Sequence, residues 1–448
     1  MVAVPEERRL MMGYVKNSRR PLYVLVLCTC LLIPSAACLL TVQCEAALSY
    51  LENEEDTVLP KTIVPALKTA CIDMEGSLHA PVFVQAGHGS GLSLDKMEVS
   101  FTLPSLSSPW GHIIATGMTA GRQRIQWGPG STGGLILSDQ ASLDGLTLHF
   151  GLNKVSYTQL YAARELLSGK WLLAHRLEGQ ILPTIRLGIS EAIAVSEGFK
   201  MRFAHLAPLV PRYLIQHLTM RSDRAQDIST NAFFSVDASI NLTDNLLAYA
   251  ELMADDFPWA RSVKGRVPYM VGSLVGVSFT KPLNLGDTRQ TRSCSVTAEY
   301  VRINNYVYSH KNPDNTYVTR TGQLIGHPLG PDADGAYIIL ATDSYPETGF
   351  ESGNHVALLM GYERHGEGEL GQPWHRSHGT EREFLWGVVE TRKVLGLSAS
   401  ITKSPVELEL SLRAESLDNA GHVPGARAIE GCIAITARLR YNHPISNL

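Results

Sequence analysis

The sequence predicts an all-β protein, an antiparallel transmembrane β-barrel with short helical plug or mouth segments. Three observations carry that prediction. Apolar and polar side chains alternate with a period of two over many short stretches; after residue 46 no apolar run is long enough for a spanning helix; and near the C-terminus the links between stretches run long, short, long.

The 448 residues are 44% hydrophobic and 18% charged, the composition of a folded chain. A formal net charge of -4, from 39 basic and 43 acidic residues, leaves no polyanion-seeking surface and excludes nucleic acid as the expected partner. Arg8, Arg9, Lys16, Arg19 and Arg20 precede "PLYVLVLCTCLLIPSAACLLTVQCEAA", a basic region followed by an apolar run and small residues. That layout is a secretory signal, so residues 1–46 are expected to direct export, with cleavage near Ala47. The alternatives are a cut before Cys38 with lipid attachment, or an uncleaved anchor, because Leu22 to Leu40 is long enough to span a bilayer. Cleavage near Ala47 would leave Cys71, Cys294 and Cys432, which form no disulfide framework. Residues 47–80, with "ENEED" and several prolines, are read as a periplasmic or plug segment, and 81–448 as the barrel.

The strand pattern is plainest in "VELELSLRAE", where Val406, Leu408, Leu410, Leu412 and Ala414 oppose Glu407, Glu409, Ser411, Arg413 and Glu415. "AFFSVDASINL", "GCIAITARLRY", "SCSVTAEY" and "KWLLAHRLE" repeat it. Looser matches fall at residues 94–103, 110–120, 144–152, 183–190, 246–255, 269–280, 336–342, 354–363 and 383–400, about fourteen strands or more in all. Residues 156–170 and 198–225 instead carry helix-spaced apolar residues.

Alternation alone fits either stacked, half-solvated sheets or a barrel with lipid outside and water inside. The links decide. "SLDNAGHVPGARAIE" and "HGEGELGQPWHRSHGTE" are long and "ITKSP" is tight, the asymmetry of an outer-membrane barrel, although "DSYPETGFESG" at 343–353 is long for a periplasmic turn. Arg176, Glu178, Glu251, Asp255, Glu299, Arg413 and Arg438 then sit on polar strand faces and are expected to form a lumen network.

A search for chemistry finds no zinc-protease helix motif, nucleophile elbow, phosphate loop or mature Cys-x-x-Cys. His175 and Glu178 face opposite sides of one strand. Glu251 with Asp255 or Asp256 has the carboxylate composition of a glycosidase, and His365, His375 and His378 that of a metal site in a Gly-rich loop. Solvation of the histidines and ion pairing of the carboxylates are the plainer readings, and neither a cofactor nor an enzymatic activity is expected. Sugar readers combine aromatic faces with planar polar groups, and the longest outer links hold both. Tyr306, Tyr308, Tyr317, Trp374 and Arg376 are therefore the carbohydrate-binding candidates, beside Asn304, Asn305, Asn315 and Arg320.

"GRQRIQWGPGSTGGLILSDQA", residues 121–141, resembles the Wzi capsule-assembly family of outer-membrane proteins. "AHRLEG", "LGISEAI", "LAPLVPRY", "NAFFSVDASI", "LLAYAELMADDF", "AEYVRINNYVYSH" and "LIGHPLGPDADG" follow in order, so the resemblance runs from about residue 110 to 345. It implies a monomeric barrel of about 18 strands, closed on its periplasmic side by helical elements. It also implies a lectin-like role in holding capsular polysaccharide at the cell surface. A porin or transporter and a secreted carbohydrate-active enzyme remain the rival expectations.

Overall fold

In the computed structural model, residues 71–83, 93–107, 113–165, 169–196, 230–256, 268–283, 290–346 and 352–444 are described. They form a closed antiparallel barrel of sixteen strands in simple sequence order. The strands are β1 (Cys71–Phe83), β2 (Ser93–Ser107), β3 (Ile113–Arg124), β4 (Ser142–Leu152), β5 (Val155–Glu165), β6 (Lys170–Leu182), β7 (Ile185–Val195) and β8 (Thr230–Thr243). They continue as β9 (Leu246–Asp256), β10 (Met270–Leu283), β11 (Gln290–Ile303), β12 (Ala333–Pro346), β13 (Ser352–His365), β14 (Glu390–Lys403), β15 (Val406–Asp418) and β16 (Arg427–Pro444). Closure comes from β1 pairing with β16 in unbroken register from Cys71↔Pro444 to Phe83↔Cys432. Every strand thus has two partners, and no edge is left for the further pair that an eighteen-stranded wall would need.

The alternating residues fall as the pleat requires. On β15, Val406, Leu408 and Leu410 point outward and are exposed, while Glu407, Glu409 and Glu415 point into the lumen. Phe234, Val236 and Ile240 on β8 and Ile433, Ile435 and Leu439 on β16 face outward in the same way. An apolar exterior around a polar interior is the architecture of a membrane-spanning barrel. Outward aromatic residues stand near both ends: Tyr300 and Tyr362 by the long links, Phe150 and Phe279 by the tight turns.

Four sequence expectations are corrected. Residues 156–165 are strand rather than helix; inward Leu160 and Ala162 of β5 pack in a dry core and Tyr157 and Gln159 on the other face are buried too, so polarity does not alternate along the strand. Residues 383–389 belong to a loop, and β14 starts only at Glu390. The wall begins at Cys71 rather than at residue 81, so the segment 47–80 ends in strand; Gly76 and Pro81 mask the alternation of Ile72, Met74, Leu78 and Ala80 there. Residues 343–346 continue β12, which shortens the troublesome link to 347–351 and restores the turn asymmetry. Residues 1–46 and the helix-patterned stretch 198–225 lie outside the described residues.

Replacing an outward side chain by a charge should be costly and replacing its inward neighbour cheap. Leu410→Arg is expected to lower folding stability in lipid vesicles by about 2–4 kcal/mol, as for a charge near the bilayer midplane. Glu409→Gln should change it by well under half as much, both read from urea-dependent equilibrium folding.

Candidate functional site: a stoppered lumen

All long links leave one end of the barrel, and two of the described ones turn inward. Residues 125–141, between β3 and β4, and 304–332, between β11 and β12, supply Trp127, Leu135, Ile136, Leu137, Tyr308, Tyr317 and Ile325 to a buried cluster inside the wall. A third link, 366–389, is tied to the second through Asp332. Its carboxylate accepts from the backbone N–H groups of Gly368 at 2.9 Å and Trp386 at 3.2 Å. Asn305 adds its own N–H to Glu383 O and its side-chain amide to Arg382 O, both at 2.8 Å.

The Gly-rich stretch "WGPGSTGG" is what lets the first link enter. A loop taken into a barrel carries unpaired amides that must find acceptors, and the wall presents two carboxylates to them. Glu299 on β11 accepts from Ser131 N at 2.6 Å and Thr132 N at 3.0 Å, and also from the hydroxyls of Tyr249, at 2.7 Å, and Thr132. Glu251 on β9 accepts from Leu135 N at 3.2 Å and from Ser235 Oγ at 2.8 Å. Glu251 lies so close under the loop that a Cβ at Gly128, whose φ is +97°, would run into its carboxylate. The loop therefore needs glycine there for space as well as for backbone conformation.

The second link clamps the first. Tyr308 donates its hydroxyl to Leu135 O at 2.6 Å and Tyr317 donates to Ile136 O at 2.9 Å. Their rings stack at 5.8 Å, and Tyr317 lies 4.1 Å from the Phe233 ring on β8. Tyr308 is itself anchored, its N–H donating to Asp255 at 2.7 Å. Burial pushes both phenol groups above their ordinary pKa, so they stay protonated and keep donating.

These contacts overturn the surface-sugar assignment for three of its members. Tyr306, Tyr308 and Tyr317 are buried, the last two completely, and present no ring face to a ligand. Trp374 packs against the core and donates its indole N–H to Gly379 O, and the Arg376 side chain lies outside what is described. The lumen candidates do point inward. Arg176 forms a paired bond to Asp237 at 2.6 and 3.0 Å and reaches Glu178 at 3.0 Å, and Gly188 opposite leaves room for the guanidinium. Glu251, Asp255 and Glu299 all serve the plug. Of the three histidines only two meet, His375 and His378 with ring centroids 6.1 Å apart, while His365 pairs with Glu363, and no metal-like cluster occurs among the described residues. Sequence reading missed Ser235, Asp237, Tyr249, His327 and Asp332, whose roles depend on a loop folding back across the barrel.

His327 is a buried titratable group of the plug. Its Nδ1 accepts from Leu329 N at 3.2 Å, so the proton sits on Nε2, which donates to Thr132 Oγ1 at 3.0 Å. Burial lowers its pKa from 6.5 to about 4.

On the opposite arc of the wall none of the described links enters the lumen. Arg438 bridges Glu407 at 2.6 Å and Glu409 at 2.8 Å, and Lys96 bridges Glu75 and Glu98 at 2.9 and 3.0 Å. The Arg438 and Glu409 side chains keep 28% and 26% of their surface exposed, against 3% for residue Glu251. Among the described residues the β9–β11 side of the lumen is dry, and the side of β14 to β16, β1 and β2 carries partly exposed ion pairs of both signs.

No family model matches the chain, and no curated protein matches it either. Among solved structures it is similar to the outer membrane channel DcaP of Acinetobacter baumannii, at 10% identity and a TM-score of 0.39, covering 83% of this chain and 98% of that one. It is also similar to OpdK of Pseudomonas aeruginosa, at 8% identity and a TM-score of 0.37, covering 84% and 100%. OpdQ of the same organism gives 9%, 0.34, 84% and 98%. The barrel assignment rests on the strand pairing itself.

Removing both wall carboxylates should free the loop. Each Glu→Ala change strands buried amide or hydroxyl donors at about 1–3 kcal/mol apiece, so Glu251→Ala with Glu299→Ala should raise maleimide labelling of a Ser131→Cys reporter by at least about tenfold. Acid should loosen it in a defined window. Because the released His327 takes a proton near pH 6.5 and the docked one only near 4, docking weakens as pH falls between those values and levels off below. The same reporter should show the rise, and His327→Gln should flatten it.

Proposed function

We propose that this protein is an outer-membrane channel of restricted bore, noncatalytic and without cofactor, in which small polar solutes follow the wet lane past an internal plug. The observation that carries the reading is the two-sided lumen: sealed around Glu251 and Glu299, solvent-accessible and charged along β14 to β16, β1 and β2. A barrel meant only as an anchor gains nothing from ion pairs held in reach of water, whereas a passage lined by both signs favours polar solutes over apolar ones. Glu251 and Asp255 spend their oxygens on plug amides and a hydroxyl, which argues against their use as a glycosidase pair.

A second reading, attachment of capsular or other surface polysaccharide by a monomeric barrel, is favoured by the ordered resemblance to the Wzi family. The stretch that opens that resemblance is the one folded into the lumen. On this reading the sugar-facing groups move from the buried tyrosines to the outer link, where Arg382 stacks on Trp386 at 4.0 Å.

Planar-bilayer recording separates the two. The channel reading expects discrete low-conductance openings, a larger conductance in the Glu251→Ala, Glu299→Ala double variant, and a shift towards anion selectivity in Glu409→Lys. A heat-modifiable, folded barrel that stays silent in wild type and double variant alike would dismiss it. Retention of cell-surface polysaccharide on barrel-bearing vesicles, lost in Trp386→Ala, would then establish the second reading.

A further inference from the structure

The outer face of the wall carries a feature that neither reading uses. Across β11, β12 and β13 the register sets Arg302, Asp334 and Arg364 in one row, and Tyr300, Ala336 and Tyr362 in the next. Ala298, Ile338 and Met360 form the third. All of these residues point outward, because their neighbours Glu299, Tyr337 and Gly361 face the lumen. The long-link end holds the Arg row, and the apolar rows lie below it, towards the middle of the membrane.

The middle row is a trough. Tyr300 and Tyr362 stand two strands apart, about 9.5 Å between backbones at the usual strand spacing, with only the methyl group of Ala336 between them. Val275 and Val277 on β10 and Ile338 and Met360 below extend the walls, and the groove has a volume of 670 Å³. Tyr300, Ile338 and Tyr362 are each at least two-fifths exposed, and no other described part of the chain fills it. A gap of this width between ring walls suits one alkyl chain at van der Waals distance.

The upper row supplies charge. Arg364 donates twice to Asp334, at 2.9 and 2.6 Å, and Tyr300 donates its hydroxyl to the same carboxylate at 2.9 Å. Arg302 bonds Asn304 at 3.1 Å through Nε and lies over the Phe384 ring. Asp334 keeps only 5% of its side-chain surface exposed against 44% for Arg364, and Glu383 is bonded to Asn304, so a guanidinium rather than a carboxylate faces solvent above the apolar trough. Cationic above and acyl-wide below, the feature matches one occupant.

We propose that this groove is a specific site for a phosphorylated acyl lipid of the leaflet on the long-link side. One chain lies between Tyr300 and Tyr362 over Ala336, and the phosphate meets Arg302 and Arg364. The site is independent of whether the lumen conducts or the outer links bind sugar.

The test is native mass spectrometry of the full-length barrel in detergent, titrated with dimyristoyl phosphatidylglycerol or dimyristoyl phosphatidylcholine. Wild type should retain one phosphatidylglycerol with roughly fivefold or greater preference, the scale expected for one uncompensated surface cation. Ala336→Trp, which fills the trough and keeps both charges, should abolish tight retention of either lipid. Arg302→Gln with Arg364→Gln should retain both lipids equally. Heat-dependent gel mobility confirms that each variant is folded. Equal retention of the two lipids by wild type, or phosphatidylglycerol retention unchanged in Ala336→Trp, would overturn the proposal. So would a lipid-free oligomer that Ala336→Trp dissociates, since the groove would then belong to a second copy of the chain.

Discussion

A strand edge left open in hydrocarbon exposes amides and carbonyls that nothing there can satisfy, at several kcal/mol each. Closure of β1 on β16 removes that edge, and much of the remaining structure follows from it. An antiparallel wall closes on itself only with an even number of strands. Both ends of the wall then lie on the same side, that of the tight turns at 153–154, 183–184, 244–245 and 404–405. All the long links are gathered at the other end. The loops that fill the lumen therefore enter from one mouth, and they meet and interlock because closure puts them there.

Once inside, a loop faces the problem that closure solved for the strands: its amides need acceptors. Two carboxylates answer it, and they do so differently. Glu299 takes four donors from loop and wall, more than a solvated carboxylate gains from ordinary pairing, whereas Glu251 takes one loop amide and a serine. Glu299 is thus the stronger holder and Glu251 the positioning contact beneath Gly128. The tyrosine clamp adds specificity, since its two hydroxyls reach consecutive carbonyls, Leu135 O and Ile136 O, and fix the loop in one register. Tyr306 and Tyr308 adopt left-handed backbone at φ +70° and +67°, a local cost on the order of 1 kcal/mol or more that the packed clamp offsets.

How much of this was legible in the sequence divides along a physical line. The phase of "VELELSLRAE" and the outward set of β8 were plain, because period two is a local property and lipid rewards it at every position. The strand β5 was lost to a helical pattern where Leu160 and Ala162 meet apolar plug on one side while the other side is also covered, so alternation no longer encodes the faces. The buried tyrosines were misplaced for a related reason. An aromatic residue in a long polar link looks the same whether the link extends into solvent or folds back into the barrel. The acceptors that draw it inward, Asp255 for Tyr308 and the carbonyls of residues 135 and 136, lie 53 or more positions away in sequence.

The lumen's two halves also bear on how the plug can move. The dry half is built from directional bonds to two carboxylates and a neutral histidine, all of which weaken together if water or a proton enters. The charged lane on the other side is built from Arg and Lys bridges that already tolerate water and contribute little each. Displacement of the plug therefore has a preferred direction, away from β9 to β11 and towards the wet arc, where the arriving polar backbone exchanges water for other polar partners at small cost. The plug is thus held by many directional bonds on one side and by few on the other. The 304–332 link, by contrast, stays tied to the outer loop through Asn305 and Asp332.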